Sequence, residues 1–378
     1  MPRFAEPIYV TRPTMPPLED YTELLSQIWE SKWLTNKGPF HEELEARVAA
    51  YLGVEHLSLF CNGTVALMVA LQMLRLNSGE VITTPFTFAA TPHVLYWNGI
   101  RPVFCDIEPR SFNLDPNRIE ELITPDTRAI MPVHVYGTPC DIDAIQKIAD
   151  RHGLPVIYDA AHTFGARWQG AAICSYGDAA ILSFHATKLF STAEGGALVV
   201  KSKAQRERVD SLKNFGIAGE ESVIGPGING KMSEFQAAFG LLQLESISEE
   251  IANRRVIDSC YREHLTGVPG IALLPETTET QRNYAYFPLL VDEGAFGVSR
   301  DTVYESLRAH NVFARKYFYP LCSHYPCYAA LPSARPQDLP VAERVSREVL
   351  CLPIYGTLDP KAASDIAGMV LSLQKKTC

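Results

Sequence analysis

Residues 178–200 read DAAILSFHATKLFSTAEGGALVV. Two short apolar runs, 178–184 and 196–200, flank a polar turn that carries His185, Lys188, Glu194 and Gly195. Runs this brief and this uniformly apolar predict strands buried on both faces. Upstream the same rhythm repeats. LSLF (57–60) leads through a turn to Thr64–Leu74, apolar on a broad face. EVITT (80–84) precedes FAATPHVLYW (88–97), and PVFCD (102–106) precedes a helix opening at Asp115-Pro116. RAIMPV (128–133) precedes a helix over Asp141–Arg151, and PVIYD (155–159) ends on an acid. Strands alternating with helices imply βαβ units, hence an α/β fold with a mainly parallel sheet covered on both faces.

Past about residue 250 the rhythm changes. A charged helix at Glu249–Thr266, a strand YAYFPLLV (284–291), a helix at Arg300–His310, a Pro-rich loop and a last helix from about Pro360 predict a second, smaller α+β domain. The expected division is an N-terminal segment (1–35) packing across both domains, a large domain (36–250) and a small C-terminal domain (251–378).

The 378 residues are 47% apolar and 20% charged, the composition of a chain that builds a core. A net charge of −9 gives no electrostatic footprint for nucleic acid or an anionic membrane, so neither is expected as a partner. The N-terminal stretch MPRFAEPIYVTRPTMPPLED lacks the apolar run of a signal peptide, and no run approaches the roughly 18 residues that span a bilayer. Nine scattered cysteines with no CxxC read as reduced thiols, and the expected location is the cytoplasm.

Several short strings do not support the motif they match. Gly225-Pro-Gly227-Ile-Asn-Gly230 matches GxGxxG, but it does not close a clear strand and has a proline inside. Cys322-Ser-His324-Tyr-Pro-Cys327 lacks the second ligand pair of a structural zinc site, and no metal is expected. Three other features gain by being taken together. Asn62-Gly63-Thr64 is a turn between strand and helix whose unpaired amides and hydroxyl suit a phosphate, although an ordinary helix cap reads the same way. Asp159 stands at the carboxyl end of an apolar strand, where α/β proteins place ligands; it could equally cap the next helix. Lys188 sits at the edge of an apolar strand. If shielded, it would lose its proton and form a Schiff base, and Ser183 could add a hydroxyl to a phosphate. A phosphate turn, an acid and then a lysine 29 residues later is the order a pyridoxal 5′-phosphate (PLP) enzyme needs.

At these residues the chain resembles the DegT/DnrJ/EryC/StrS family of nucleotide-sugar aminotransferases. The resemblance runs from about Pro7 to Ser372 and includes Trp33-Leu-Thr-Asn-Lys-Gly38-Pro, Pro85-Phe-Thr-Phe88, Val133-His-Val-Tyr-Gly137, Asp159-Ala-Ala-His162, Ser183-Phe-His-Ala-Thr-Lys188 and Gly227-Ile-Asn229. It implies the aspartate-aminotransferase fold (PLP fold type I): a large domain with a mainly parallel seven-stranded sheet and a smaller C-terminal α+β domain. By resemblance, Lys188 carries PLP as a Schiff base and later shuttles the proton, and Asp159 pairs with the pyridine nitrogen. Phe88 stacks on the ring; Gly63, Thr64 and Ser183 hold the phosphate; His162 lies near the cofactor hydroxyl and the sugar. Asn229 reaches the phosphate from the neighbouring subunit of a homodimer with shared sites. The cofactor would cycle through pyridoxamine 5′-phosphate. Members that dehydrate the sugar carry histidine where Lys188 stands, so transamination is implied.

The opening pattern, Val10 to Glu19 and Ile28 to Asn36, resembles the branch acting at C4 of dTDP-4-keto-6-deoxyglucose with L-glutamate as donor. The implied product is dTDP-4-amino-4,6-dideoxyglucose, a precursor of surface polysaccharide such as O-antigen. A C3-keto, UDP- or GDP-linked sugar, or a PLP-binding regulatory protein with little turnover, remains an alternative. Where the family usually has an aromatic-plus-arginine pair after the asparagine, this chain has Gly230-Lys231. Lys213, Lys231, Arg315 and Tyr317 are candidates for the substrate diphosphate.

Overall fold

Seven strands are buried almost throughout: β1 Leu57–Phe60, β2 Glu80–Thr83, β3 Arg101–Phe104, β4 Thr127–Ile130, β5 Ile157–Asp159, β6 Ala179–Ser183 and β7 Gly196–Val200. The computed structural model describes residues 4–375, so the outermost residues of the first and last expected units, 1–3 and 376–378, lie outside the described residues. The strands line up as β3-β2-β4-β5-β6-β7-β1, with β4 and β5 joined by parallel bridges Ile130–Val156 and Val133–Asp159. Only β7 runs against its neighbours, pairing antiparallel with β6 and β1. This is the mainly parallel sheet expected of the sequence, and its apolar runs follow from burial on both faces.

Helices cover each face. On one, α2 (Pro39–Leu52), α5 (Ile142–His152) and the first half of α7 (Glu234–Leu265) bury Leu44, Val48, Ile145, Ala237 and Leu241 against the sheet. On the other, α3 (Gly63–Met73), α4 (Ala90–Trp97) and α6 (Lys203–Leu212) bury Leu67, Val94, Leu95 and Val209.

Three expectations differ in detail. Asp115-Pro116 opens two 3-10 turns, Pro116–Arg118 and Glu120–Leu122, not an α-helix. The Asp115 carboxylate folds back onto the Asn117 amide, and Pro125 comes too soon for a longer helix. The charged helix expected at 249–266 is the second half of the 32-residue α7, whose start is fixed by a Ser233/Gln236 capping box. The boundary drawn at residue 250 therefore falls inside a continuous helix. Finally, the strand read at 284–291 begins only at Phe287, because Tyr284 turns the backbone at φ 55°.

Beyond residue 250, a three-stranded antiparallel sheet (β8 Ile271–Leu273, β9 Phe287–Val291, β10 Val349–Leu352) packs its own core against helices Arg300–Ala309 and Pro360–Leu371 and the second half of α7. The N-terminal segment touches both regions. Ile8 pairs with Val312, Val10 accepts the Ile354 amide, and α1 (Leu18–Ser31) sets Tyr21 and Trp29 edge-on to Phe239 and Phe235 of α7. A further apolar cluster, including Phe86, Val133, Tyr136, Leu290, Phe318 and Cys351, joins the two regions beside the carboxyl ends of the large sheet.

Candidate active site

The carboxyl ends of β1, β5 and β6 lie side by side, since Phe60 and Ser183 both pair with Gly196 and Asp159 pairs with Ile181. Three connecting segments therefore converge: the turn into α3, the Asp159–His162 turn and the loop carrying Lys188. They enclose a cavity of about 270 Å³. Gly63, Thr64, Phe88, Asp159, His162, Ser183, Lys188 and Tyr317 all line it. Small residues permit the convergence: a Cβ on Gly196 would stand 2.7 Å from the Gly63 backbone nitrogen.

At the start of α3, the Asn62 side chain caps the Val65 amide at 2.8 Å. Among the described residues, the Gly63 and Thr64 amides and the Thr64 and Ser183 hydroxyls have no hydrogen-bond partner. Four donors at a helix N-terminus form a cradle for a phosphate.

Asp159 is buried, its Oδ1 accepting from the Ala161 amide at 3.1 Å and its Oδ2 from the Thr91 hydroxyl at 2.7 Å. Burial pushes its pKa up, against the lowering effect of those donors and of Lys188. A carboxylate so placed calls for a cationic partner in the cavity. The Lys188 amine lies 3.2 Å from the Tyr286 hydroxyl, and burial lowers its pKa to about 8, with Asp159 pulling the other way. His162 accepts the Tyr136 amide on Nδ1 at 3.1 Å, and burial holds its pKa well below the ordinary value. The neutral ring therefore carries its proton on Nε2. Phe88 is 64% exposed, a free aromatic face on the cavity. A phosphate cradle, an acid for a ring nitrogen, a lysine whose pKa is brought down to about 8 and an open aromatic face together fit PLP.

The other sequence candidates lie elsewhere. Lys213 is a correction: it is 1% exposed, and its amine is consumed by Ser58 Oγ (2.6 Å), the Leu59 carbonyl (3.1 Å) and Asp210 (3.2 Å). It is a structural cation with no reach to a substrate. Lys231 is likewise turned from this cavity, with its amine on Asn214 Oδ1 at 2.9 Å and over the Phe215 ring. Asn229 is exposed, bridged to Asn214 at the base of the hairpin Ile217–Gly219/Ser222–Val223. The GxGxxG string is the return from that hairpin. Arg315 lines a neighbouring cavity of about 380 Å³ together with Arg308, Tyr9 and Phe313, and Tyr317 borders both cavities. Cys322 is buried with its thiol on the Thr87 carbonyl, and no cluster of metal ligands occurs among the described residues.

Sequence reading missed Thr91 and Tyr286. A single threonine at a helix start has no chemical signature, and Tyr286 was absorbed into the apolar run read as a strand.

Residues 18–371 match the DegT/DnrJ/EryC1/StrS aminotransferase family. The chain is 50% identical over 367 residues to the dTDP-4-amino-4,6-dideoxy-D-glucose transaminase of Escherichia coli, covering 96% of this chain and 98% of that one. Its identity to the enzyme of that name from Shigella dysenteriae is 48%, over 97% and 98% of the two chains. The crystal structure of DesI in the presence of its TDP-sugar product superimposes with a TM-score of 0.93 at 38% identity, covering 98% of this chain and 94% of the other. An acid at the end of one strand and a lysine on the loop that leaves its neighbour, in a chain alike over nearly its whole length to such enzymes, make it a member of the DegT/DnrJ/EryC1/StrS aminotransferase family.

Proposed function

We propose that the protein moves the amino group of L-glutamate to C4 of dTDP-4-keto-6-deoxy-D-glucose, giving dTDP-4-amino-4,6-dideoxy-D-glucose and 2-oxoglutarate. The observation that carries the chemistry is a half-buried lysine whose amine is shielded enough to bring its pKa down to about 8, held in one cavity with a buried carboxylate. Support for the sugar comes from the names of the two relatives at 50% and 48% identity.

When bound, PLP supplies an electron sink that makes it feasible to remove a proton from the amino-bearing carbon. The protein's own groups do the rest. Asp159 would accept from the protonated ring nitrogen, and Gly63, Thr64 and Ser183 would donate to the phosphate. Phe88 covers one ring face, and His162 presents Nε2–H to oxygen atoms in the cavity. Lys188 would anchor the cofactor and, as a free amine, would take the proton from the glutamate carbon and return one to the sugar carbon. Because the amino group is parked on the enzyme between the halves, the kinetics are ping-pong.

Arg308 and Arg315, neither of which has a carboxylate partner among the described residues, suit the nucleotide diphosphate. Exposed Phe215, Ile217, Val223 and Ile224 on the hairpin beside Asn229 support a homodimer in which Asn229 completes the partner's phosphate cradle. The product would serve surface polysaccharide such as O-antigen, made in the cytoplasm; among the described residues no helix is long and apolar enough to cross a membrane.

The test is mass spectrometry of products from the purified enzyme, glutamate and a panel of dTDP-, UDP- and GDP-linked keto sugars. Selective amination of the dTDP-4-keto sugar is expected. Preference for a UDP or GDP sugar would remove the substrate assignment and leave transamination standing.

A further inference from the structure

We propose that Thr91 is a positioning residue for Asp159: its hydroxyl, backed by that of Thr87, holds the carboxylate in one orientation and in its charged form, and so sets how tightly the site grips a protonated pyridine nitrogen. The inference rests on the PLP reading above.

The three groups form a line in the interior. Thr91 is fully buried in the first turn of α4, with Oγ1 2.7 Å from Asp159 Oδ2 and 2.9 Å from Thr87 Oγ1. A hydroxyl has one proton to give, and an ionised carboxylate can only accept. The Thr91 proton therefore points to Oδ2, and Thr87 must be the donor to Thr91. With Asp159 charged, the chain Thr87→Thr91→Asp159 has a single polarity, each hydroxyl strengthening the next. Protonating Asp159 on Oδ2 would break that order, and on Oδ1 would weaken it.

The charge needs such support. Burial works against it, and among the described residues the one other donor on the carboxylate is the Ala161 amide at 3.1 Å. Lys188 helps only while its amine is protonated, which lapses above about pH 8. Thr91 supplies the shorter hydrogen bond, at every pH. The same turn, Thr87 to Thr91, also carries exposed Phe88, and it is tied down by the Thr91 amide on the Phe88 carbonyl and the Cys322 thiol on the Thr87 carbonyl. One segment thus orients both the ring-facing aromatic and the acid meant for the ring nitrogen.

Thr91→Val keeps the branched shape and removes the hydroxyl. The measurement is calorimetric binding of pyridoxamine 5′-phosphate to cofactor-free wild type and variant between about pH 6 and 9. Taking the ratio of the two affinities cancels the ligand's own titration. The variant should bind about tenfold more weakly near neutrality, the size expected for a lost hydrogen bond to a charge. The gap should widen as pH falls, because its Asp159 protonates at higher pH. Thr91→Ser should restore the wild-type pH profile. A purely structural role would weaken binding by the same factor at every pH, and a pH-independent ratio overturns the proposal. If Thr91→Val does not fold, Thr87→Val takes its place, with a smaller change of the same sign expected and a flat ratio again overturning it. Wild type that binds no pyridoxamine 5′-phosphate at any pH would instead remove the cofactor reading on which this rests.

Discussion

The Lys188 amine nitrogen lies 3.2 Å from the phenolic oxygen of Tyr286, whose own pKa burial raises well above the ordinary value. The phenol is therefore neutral at any working pH. It can accept from the ammonium or donate to the free amine, so it serves Lys188 in both states through which a proton shuttle passes. Tyr286→Phe should leave KM for the keto sugar near wild type and lower kcat about tenfold, a hydrogen bond's worth of orientation. Steady-state kinetics on both substrates check this; a change confined to KM would mean that the hydroxyl acts in binding.

A depressed lysine also sets a pH dependence. Only the neutral amine attacks an aldehyde, and burial brings the Lys188 pKa down to about 8. Recombination of cofactor-free protein with PLP should therefore accelerate as pH rises through about 8 and level off above it. An ordinary lysine would still be gaining speed two pH units higher. Stopped-flow absorbance tracks the new band, which Lys188→Ala should abolish.

Much of this arrangement is legible in the sequence for physical reasons. Strands buried on both faces leave uninterrupted apolar runs, so all seven strands of the large sheet stand out, and with them the strand-end positions of Asp159 and Lys188. Buried charges are where reading fails. Glu250 and Arg254 look like the solvent face that opens a new helix, yet they are 6% and 2% exposed and paired at 2.6 Å, with Thr14 and the Gly356 amide completing the carboxylate. This hidden pair is why the second half of one 32-residue helix reads as a separate charged helix. Thr91 and Tyr286 are invisible for another reason: each acts through one hydroxyl whose partner lies 68 or 98 residues away in sequence.

Lys213 misled in the same manner, its charge suggesting a phosphate ligand where the structure has a buried network. Its amine faces Asp210 and Glu45, which also hold Arg206. Lys213→Met should cost about 3 kcal/mol of stability, because it leaves carboxylates short of a cation in a buried setting. Thermal unfolding should register the loss, while KM for the nucleotide sugar in the folded fraction stays at the wild-type value. A raised KM with unchanged stability would return Lys213 to the substrate.

Asn229 is exposed on a single chain and does not line its own cavity, which makes a shared site testable by mixing. Lys188→Ala removes the anchoring amine, and Asn229→Asp sets a carboxylate against the cofactor phosphate. Each variant alone should be nearly inactive. In a co-assembled dimer, one of the two sites regains both native residues, so a random mixture should recover about a quarter of wild-type activity. If mixtures recover nothing, Asn229 does not work in the partner's site.

The two arginines beyond Tyr317 bear on how the enzyme tells its two substrates apart. In the proposed reaction glutamate and the nucleotide sugar would use the same lysine in turn, so the larger substrate would need holding groups that the smaller one never reaches. Arg308 and Arg315 line a cavity adjoining the Lys188 cavity, with Tyr317 and Thr187 on the border and the Tyr9–Phe313 ring pair, 5.1 Å apart, on its wall. Cations beside an aromatic wall suit a diphosphate carrying a flat base, chemistry that glutamate lacks. Arg315→Ala should accordingly raise KM for the nucleotide sugar about tenfold, the loss expected for one charge-assisted contact, and Arg308→Ala should act in the same direction. The glutamate half-reaction, measured alone by the decay of the PLP absorbance, should proceed at the wild-type rate in both variants. Equal damage to the two halves would place these arginines in the support of the lysine cavity rather than in the recognition of the nucleotide.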